Sequence, residues 1–372
     1  MAHEYKFFPT IDYFAELNRS IARLDRGEHI YLATMAFDGQ AESTRLLFEH
    51  LGEAAKRGVV VKLIVDAMPF LLYAGIRPGP MYYGKSLKGR LKEPFSTTLR
   101  MLDELREAGG EYAIINRPSR PLKLPLGGRS HIKFAIINDR VIIGGCNLDS
   151  AHHPDIDIMV GWEDAHSAAW LRAMAEKLMS TGHARIALHN EDSCLPLNDH
   201  AAILVDAGVP RRSLIMRRAM ALIDEAREYV FISCQYFPGQ VTGQRLLAAR
   251  RRGAKICIVY GHPHQHDRLN QRLQRLSNMA ERWRLPDEFF RHSVQYENGR
   301  IHAKLIATER GAIIGSHNYI SAGVRLGTAE IALLTDDPIF GRRAMDVVVG
   351  QIGEQGRPIL NELFSDVATA DS

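Results

Sequence analysis

The chain has 372 residues, of which 46% are hydrophobic and 24% are charged, a composition typical of a folded protein with room for two domain-sized cores. This composition excludes collagen, a coiled coil and a disordered chain. The 47 Lys and Arg residues nearly balance the 43 Asp and Glu residues, for a formal charge of +4, so the composition does not indicate a protein that coats nucleic acid.

The four cysteines are widely spaced and form no CxxC pair. They predict neither a disulfide framework nor a zinc ribbon, and they indicate a reducing compartment. The N-terminal residues lack the apolar centre of a secretory signal. The apolar runs are short and interrupted by charges, whereas a membrane-spanning helix needs about 20 apolar residues. We therefore expect a cytoplasmic protein whose contact with a membrane is peripheral, at the inner face.

The sequence contains an internal repeat, and each half predicts the order helix, buried strand, helix, buried strand. Continuous apolar strands that alternate with helices favour a mostly parallel sheet covered on both faces. The predicted elements of the first half are a helix over 13–24, a strand over 28–33, a helix over 46–56 and a strand over 58–66; those of the second half are a helix over 215–226, a strand over 228–233, a helix over 246–252 and a strand over 253–260.

The boundary between the halves is predicted within residues 181–212, where two glycines and two prolines interrupt short apolar runs. We therefore predict an α/β protein of two similar lobes, over residues 1–190 and 191–372. Each lobe is expected to hold a mostly parallel mixed sheet with helices on both faces, and a pseudo-twofold axis is expected to relate the lobes.

The strongest feature of the sequence is a set of polar residues that recurs downstream of the second strand of each half. The distance from His to Asn is 16 positions in both halves, and the intervening Lys and Gly also keep their spacing. The residues are His131, Lys133, Gly144 and Asn147 in the first half, and His302, Lys304, Gly315 and Asn318 in the second.

Apolar runs on either side of a polar turn predict a β-hairpin between the lysine and the glycine of each set. Side chains two apart on a strand share a face, so each histidine is expected to point the same way as its lysine. The Gly-Gly and Gly-Ser pairs that end the hairpins would let the backbone approach a bound anion. Gly145 and Ser316 are therefore candidate phosphate-binding residues.

Two imidazoles, two ammonium groups and two amides form a set suited to a phosphodiester. The lysines would neutralise the non-bridging oxygens and stabilise charge as it builds at phosphorus. One imidazole would attack, and the other would protonate the departing oxygen. We expect neither a metal nor a cofactor, because the side chains already supply the positive charge. Because both halves carry the same residue types, the residues alone do not indicate which histidine attacks.

The paired sets resemble the phospholipase D superfamily, whose HxK(x)nD...GxxN element, the HKD motif, occurs twice in lipid-acting members. Within it, residues 116–118, residues 129–131 and the two GxxN sequences are most similar to bacterial cardiolipin synthases and phosphatidyltransferases. The resemblance implies a phosphohistidine, with His131 as the nucleophile and His302 as the general acid. It also implies that a monomer holding both motifs is competent.

The acid of the motif departs from the family pattern. Where Asp is expected seven residues after each histidine, the chain has Asn138 and Glu309. A second pair of acids, Asp157 and Glu330, opens equivalent apolar strands. Family members use acids at about this place to orient the histidines, so the resemblance implies that role for this pair, and a carboxylate on the far ring nitrogen would fix the tautomer.

Three further features have more than one interpretation. Basic and aromatic residues over 68–95 suit an anionic lipid surface, single-stranded nucleic acid or an ordinary solvated loop. The run His262, His264 and His266 is predicted to form a polar loop near the site rather than a metal centre, because no Cys or carboxylate completes a ligand set. His317 either lines the site or fills space.

Three functions fit these observations. The first is phosphatidyl transfer or phospholipid hydrolysis of the cardiolipin synthase type at an anionic membrane surface. The second is a metal-independent nuclease or nucleic-acid phosphodiesterase that uses the same chemistry. The third is a non-enzymatic module that binds phosphate. One chain supplies both motifs, whereas nucleases with one motif per chain must dimerise, and this favours the lipid enzyme.

Overall fold

A computed structural model describes residues 3–37, 39, 41–68, 93–117, 128–148, 155–261, 275–276, 279–280, 285–286, 293–296, 301–355 and 363. Two features of the sequence lie outside the described residues. One is most of the basic and aromatic stretch, over residues 69–92. The other is the histidine run of His262, His264 and His266.

The first half forms a seven-stranded sheet. Its strands are β1 (Lys6–Pro9), β2 (His29–Thr34), β3 (Val60–Asp66), β4 (Glu111–Ile115), β5 (Phe134–Ile137), β6 (Arg140–Gly144) and β7 (Ile158–Glu163). They lie in the order β1-β7-β6-β5-β2-β3-β4. The helices of this half are α1 (Thr10–Ala22), α2 (Glu42–Lys56), α3 (Glu93–Glu107), α4 (Ala165–Thr181) and the short α5 (Ala184–Ala187).

The second half repeats this plan with eight strands. They are β8 (Ser193–Asn198), β9 (Ala201–Ala207), β10 (Tyr229–Cys234), β11 (Lys255–Gly261), β12 (Ser293–Tyr296), β13 (Leu305–Thr308), β14 (Gly311–Gly315) and β15 (Ala329–Thr335). Their order is β12-β11-β10-β13-β14-β15-β9-β8. The helices are α6 (Leu214–Glu225), α7 (Gln240–Arg251), α8 (Ser321–Leu326) and α9 (Pro338–Ile352). In the part of the chain described, no helix is both long and apolar enough to cross a bilayer.

The elements form layers, because alternate residues of the central strands are buried on opposite faces of each sheet. Helices α1, α2 and α3 cover the outer face of the first sheet, and α6 and α7 cover the outer face of the second. The inner faces of both sheets share one apolar core with α4 and α9. Helix α4 begins where the Asp164 side chain accepts from Ser167 N and ends at Gly182, whose φ is +64°, a start and stop that its sequence encodes. The predicted α/β class with helices on both sheet faces is confirmed.

The sheets are mixed, but the expectation that each is mostly parallel is wrong. Only β2, β3 and β4 of the first sheet, and β10, β11 and β12 of the second, pair in parallel among the described strands. The remaining pairs are antiparallel. The physical reason is the tight turn between β5 and β6 and between β13 and β14, since strands joined by two residues must reverse direction.

The stretch that indicated a boundary is not only a linker. It contains the antiparallel hairpin of β8 and β9, which pairs with β15 and extends the second sheet. The division into residues 1–190 and 191–372 stays a prediction, although the strands of the two sheets fall on either side of it.

The lobes meet through backbone pairing beside the motif histidines. The residue before each histidine forms an isolated parallel bridge with the other lobe: Ser130 with Ala329, and Ile301 with Ile156. The backbone N–H of each histidine then donates across the same junction, at 2.8 Å in both cases. Exchange of the lobes converts one bridge into the other, which is the relation that a pseudo-twofold axis requires.

The positions that depart from the motif acid lie at the hairpin turns. Asn138 Oδ1 accepts from the backbone N–H of His29 at 3.2 Å. In the second lobe the Glu309 carboxylate accepts from the N–H groups of Arg227 at 2.7 Å and Tyr229 at 3.4 Å. Both side chains therefore hold the start of the neighbouring strand, at the far end of the hairpin strand from the motif histidine. What these positions need is an acceptor, which either amide or carboxylate supplies.

We predict that Asn138→Ala lowers the free energy of unfolding by about 1–2 kcal/mol. The substitution removes this acceptor, and alanine tolerates the left-handed φ of +52° less well than asparagine, whose side chain can form local hydrogen bonds. Denaturant unfolding measures the effect. The control Asn138→Gly loses the same side chain but adopts the left-handed backbone without strain, so it should lose less. A Gly variant as stable as the unchanged protein would contradict the role of the Asn138 side chain.

The glycines that end β6 and β14 allow the next strand to approach. A Cβ on Gly315 would lie 2.2 Å from the carbonyl oxygen of Ile331, a backbone atom that cannot move aside. We predict that Gly315→Ala destabilises the protein by about 3 kcal/mol in denaturant unfolding. Gly350→Ala, in helix α9 with nothing within 4 Å of the new Cβ, should instead stabilise by about 0.5–1 kcal/mol. Loss of stability in both variants alike would show that the close approach is not the cause.

Candidate active site

Each motif histidine faces an acid of the opposite lobe. Nδ1 of His302 forms a hydrogen bond of 2.5 Å with Oδ2 of Asp157, and Nδ1 of His131 lies 3.1 Å from Oε1 of Glu330. Each acid directly follows the residue that bridges to the other lobe, so the backbone pairing delivers it to that histidine. Both acids thus lie at a ring nitrogen of a motif histidine, and the pairs cross between the lobes, while the role of these acids in orienting the histidines stays a prediction.

His131 is buried among cations. Burial lowers its pKa well below the usual value, and the charges of Arg129, Lys133 and Lys304 lower it further. Among the described residues its Nε2 has no hydrogen-bond partner, and its Nδ1 makes no well-aligned hydrogen bond despite the nearby Glu330. A carboxylate beside Nδ1 favours the tautomer with hydrogen on that nitrogen. His131 is therefore neutral near pH 7, with the lone pair of Nε2 available.

The pair formed by His302 and Asp157 has the opposite electrostatic character. Burial alone would raise the pKa of Asp157, but the charge and hydrogen bond of His302, with Lys304 nearby, outweigh it and lower that pKa. An ionised carboxylate at 2.5 Å stabilises the imidazolium form of the ring. Burial raises the pKa of Glu330, by contrast, despite the opposing interaction with His317. The pKa values of the two acids thus shift in opposite directions.

The two motif lysines are almost wholly buried, at 1% exposure each. Nζ of Lys133 donates to the carbonyl oxygen of His131 at 2.9 Å, and Nζ of Lys304 donates to that of His302. The charges of both lysines act on His131, so the two halves of the motif share one electrostatic environment. Within the described residues, no group of three or more His, Cys, Asp or Glu could hold a metal ion.

The two motif asparagines have different surroundings. Oδ1 of Asn147 accepts from the backbone N–H of Ala36 at 3.3 Å, which ties this amide to the segment after β2. Asn318 is half-buried, and its Oδ1 is buried without a hydrogen-bond partner in the described part of the chain. The role of both amides as donors to a phosphate stays a prediction.

Gly145 and Ser316 each lie against the acid of their own lobe. A Cβ at Gly145 would lie 2.2 Å from Oδ1 of Asp157, so glycine leaves the space that this carboxylate occupies. The hydroxyl of Ser316 donates to Oε2 of Glu330 at 2.5 Å. The backbone N–H groups of both residues donate to carbonyl oxygens of the next strand. Their donors are thus engaged within the protein, and the phosphate-binding role stays a prediction that these contacts do not favour.

Asp66 is a supporting residue that the sequence reasoning missed. Its buried carboxylate accepts from the N–H groups of Met68 and Ser130 and from Nδ2 of Asn116, each at 2.7 Å. These bonds brace the segment that leads into His131. Burial raises the pKa of Asp66 to about 6. The available indication was its position at the carboxyl end of a parallel strand, where ligand-binding residues of open α/β sheets gather.

Two solved structures have the same fold over nearly the whole of this chain. Phosphatidylserine synthase from Haemophilus influenzae Rd KW20 has a TM-score of 0.68 and 13% identity, covering 98% of this chain and 93% of that chain. Polyphosphate kinase from Porphyromonas gingivalis has a TM-score of 0.53 and 14% identity, covering 94% of this chain and 51% of that chain. At these identities the likeness shows the fold alone.

A third structure, the phospholipase D family member Nuc from Salmonella typhimurium, has a TM-score of 0.31 and 17% identity and covers 41% of this chain and 93% of that chain. No curated protein matches the chain significantly in sequence. The family model described as "Cardiolipin synthase, PLD-like domain" matches residues 21–179 and 219–347, which include both motifs and most of the chain. The chain therefore belongs to this family of the phospholipase D superfamily, whose members are phosphodiesterases and phosphatidyltransferases.

Proposed function

We propose that this protein transfers the phosphatidyl group of a phospholipid to water or an alcohol through a phosphohistidine on His131. The observation that supports this proposal best is the crossed pairing of histidines and acids. His131 is buried with a lowered pKa beside cations, while His302 hydrogen-bonds to an ionised Asp157 at 2.5 Å. One imidazole is thus prepared to attack phosphorus and the other to donate a proton.

In the first step, Nε2 of His131 attacks phosphorus and the bond to the headgroup oxygen breaks. The protonated His302 gives its Nε2 proton to that oxygen, so the headgroup leaves as a neutral alcohol. Lys133 and Lys304 stabilise the negative charge that builds on the non-bridging oxygens. Glu330 beside Nδ1 of His131 stabilises the positive charge that the ring acquires when it becomes phosphorylated.

In the second step, His302 is neutral and acts as a base. It takes the proton of an incoming water or alcohol, whose oxygen attacks phosphorus while the bond to Nε2 of His131 breaks. Asp157 stabilises the imidazolium that results, which returns the site to its starting protonation state. The side chains supply all of the positive charge in this scheme, so turnover is expected in excess EDTA.

Three observations support a phospholipid substrate. The matching family model is described by cardiolipin synthase, and the structural similarity to a phosphatidylserine synthase covers almost the whole chain. The sequence between residues 68 and 95 also carries basic and aromatic side chains suited to an anionic membrane surface. The proposed enzyme acts peripherally at the inner face of a membrane, and one chain is sufficient because it holds both motifs.

The substrate is tested by incubation with phosphatidylglycerol vesicles and, separately, with single-stranded and double-stranded DNA, all in excess EDTA. We expect release of the headgroup or formation of a new phosphodiester from the lipid, and none of these products with His131→Ala. Turnover of DNA without turnover of lipid would identify a nuclease. Turnover of neither would contradict an enzymatic role on both classes and favour a phosphate-binding module.

The roles of the two histidines are tested with a phosphodiester whose leaving group is p-nitrophenolate, which needs no proton to depart. We expect His302→Ala to form a covalent adduct and then stall, because no base activates the second nucleophile, and His131→Ala to form none. Trapping under denaturing conditions and mass mapping should place the phosphoryl group on the peptide that contains His131. An adduct on the peptide of His302 would reverse the roles.

A further inference from the structure

A third imidazole, that of His317, lies in the same buried cluster as His131 and Glu330. His317 occupies the second variable position of the second GxxN sequence, directly before the asparagine, where the first lobe has Cys146. It is 3% exposed and directly follows Ser316, whose hydroxyl holds Glu330. The GxxN pattern does not require a histidine at this position, and among the two lobes the second alone has one.

The ring of His317 is fixed by the residue two positions later. Tyr319 adopts a φ of +52°, which turns its backbone N–H toward Nδ1 of His317 at 2.9 Å. The tyrosine is itself anchored, since its hydroxyl donates to the carbonyl oxygen of Ile313 and its carbonyl accepts from Thr242. Because Nδ1 accepts a hydrogen bond, it carries no hydrogen. The neutral ring must therefore carry hydrogen on Nε2, which can only donate.

The surroundings of His317 favour this neutral form. Burial lowers its pKa, although the charge of Glu330 opposes that shift. Protonation would also require Nδ1 to give up the hydrogen bond from Tyr319. A charged His317 ring would lower the pKa values of both His131 and Glu330, so the ring lies close to the proposed nucleophile and to the acid beside it.

In the part of the chain that the structure describes, the only hydrogen bond of the His317 ring is the one that Nδ1 accepts from the N–H of Tyr319, so Nε2 has no acceptor there. The carboxylate of Glu330, whose charge acts on His317, has other neighbours at both oxygens: Ser316 Oγ lies 2.5 Å from Oε2, and His131 Nδ1 lies 3.1 Å from Oε1. An N–H group on a fixed and almost buried ring, with no acceptor in the described part of the chain, is a donor available to a ligand anion.

We propose that His317 is an additional phosphate-binding residue, whose Nε2–H donates to a non-bridging oxygen of the phosphodiester that His131 attacks. This inference rests on the proposed function. A neutral donor stabilises the phosphate without competing with His131 for a proton, and its fixed tautomer prevents it from acting as a base. Cys146 cannot match it, because its thiol is a weak donor and lies 3.7 Å from Thr10 Oγ1. The two lobes thus contribute unequally to the phosphate site.

The test is binding of inorganic phosphate to the full chain, followed by calorimetry and by NMR of ¹⁵N-labelled histidine. We expect the Nε2–H resonance of His317 to shift on titration with phosphate while Nδ1 stays unprotonated. We expect His317→Phe to weaken phosphate binding about tenfold, as removal of a hydrogen bond to a charged acceptor should. His317→Gln keeps a neutral N–H donor and should recover part of that loss.

Cys146→Ala is the matched control for packing, since it changes the equivalent buried position of the other lobe and should leave phosphate affinity unchanged. If phosphate shifts the resonances of His131 but not those of His317, and His317→Phe binds as tightly as the unchanged protein, then His317 is a packing residue and the proposed function stands. If the unchanged protein binds no phosphate, the proposal for His317 fails, whereas the proposed function is decided separately by turnover of the lipid. The NMR titration decides the question even if His317→Phe does not fold.

Discussion

Backbone pairing between the lobes is the constraint on which the site depends. The bridges of Ser130 with Ala329 and of Ile156 with Ile301 lie immediately before the residues that carry the chemistry. They set the acid that follows Ala329 against the first histidine and the acid that follows Ile156 against the second. Each motif histidine thus finds its carboxylate in the opposite lobe. The packing of the two inner sheet faces into a single apolar core therefore supports the site as well as the fold.

The pseudo-symmetry of the backbone does not extend to the electrostatics. A short hydrogen bond holds Asp157 ionised against His302, whereas Glu330 is shared between Ser316 and His131 and has a raised pKa. At equivalent positions, one ring thus has an ionised acid with a lowered pKa beside it, and the other has an acid with a raised pKa. This difference gives a physical basis for unequal roles, which the residues of the motifs alone do not provide.

The repeated spacing made the motif residues predictable, and continuous apolar runs made the central strands predictable. The crossed pairing was not predictable, because the partners of the His302–Asp157 pair lie 145 positions apart and no local pattern encodes such a contact. Strands β8 and β9 were also missed, since Pro196 and short apolar runs resemble a linker. Asp66 was overlooked because a single acid at the end of a strand has no distinctive spacing.

The crossed pairing bears on how such a chain can evolve. Two identical copies of one lobe, joined through the same bridges, would each set an acid against the partner's histidine, so an ancestral homodimer would already hold a complete but symmetric centre. Gene fusion removes the requirement that both copies remain the same. Divergence is visible where Cys146 corresponds to His317, and Gly145 to Ser316. After fusion, a substitution can change one copy without changing the other. In a homodimer encoded by one gene, every substitution appears in both copies.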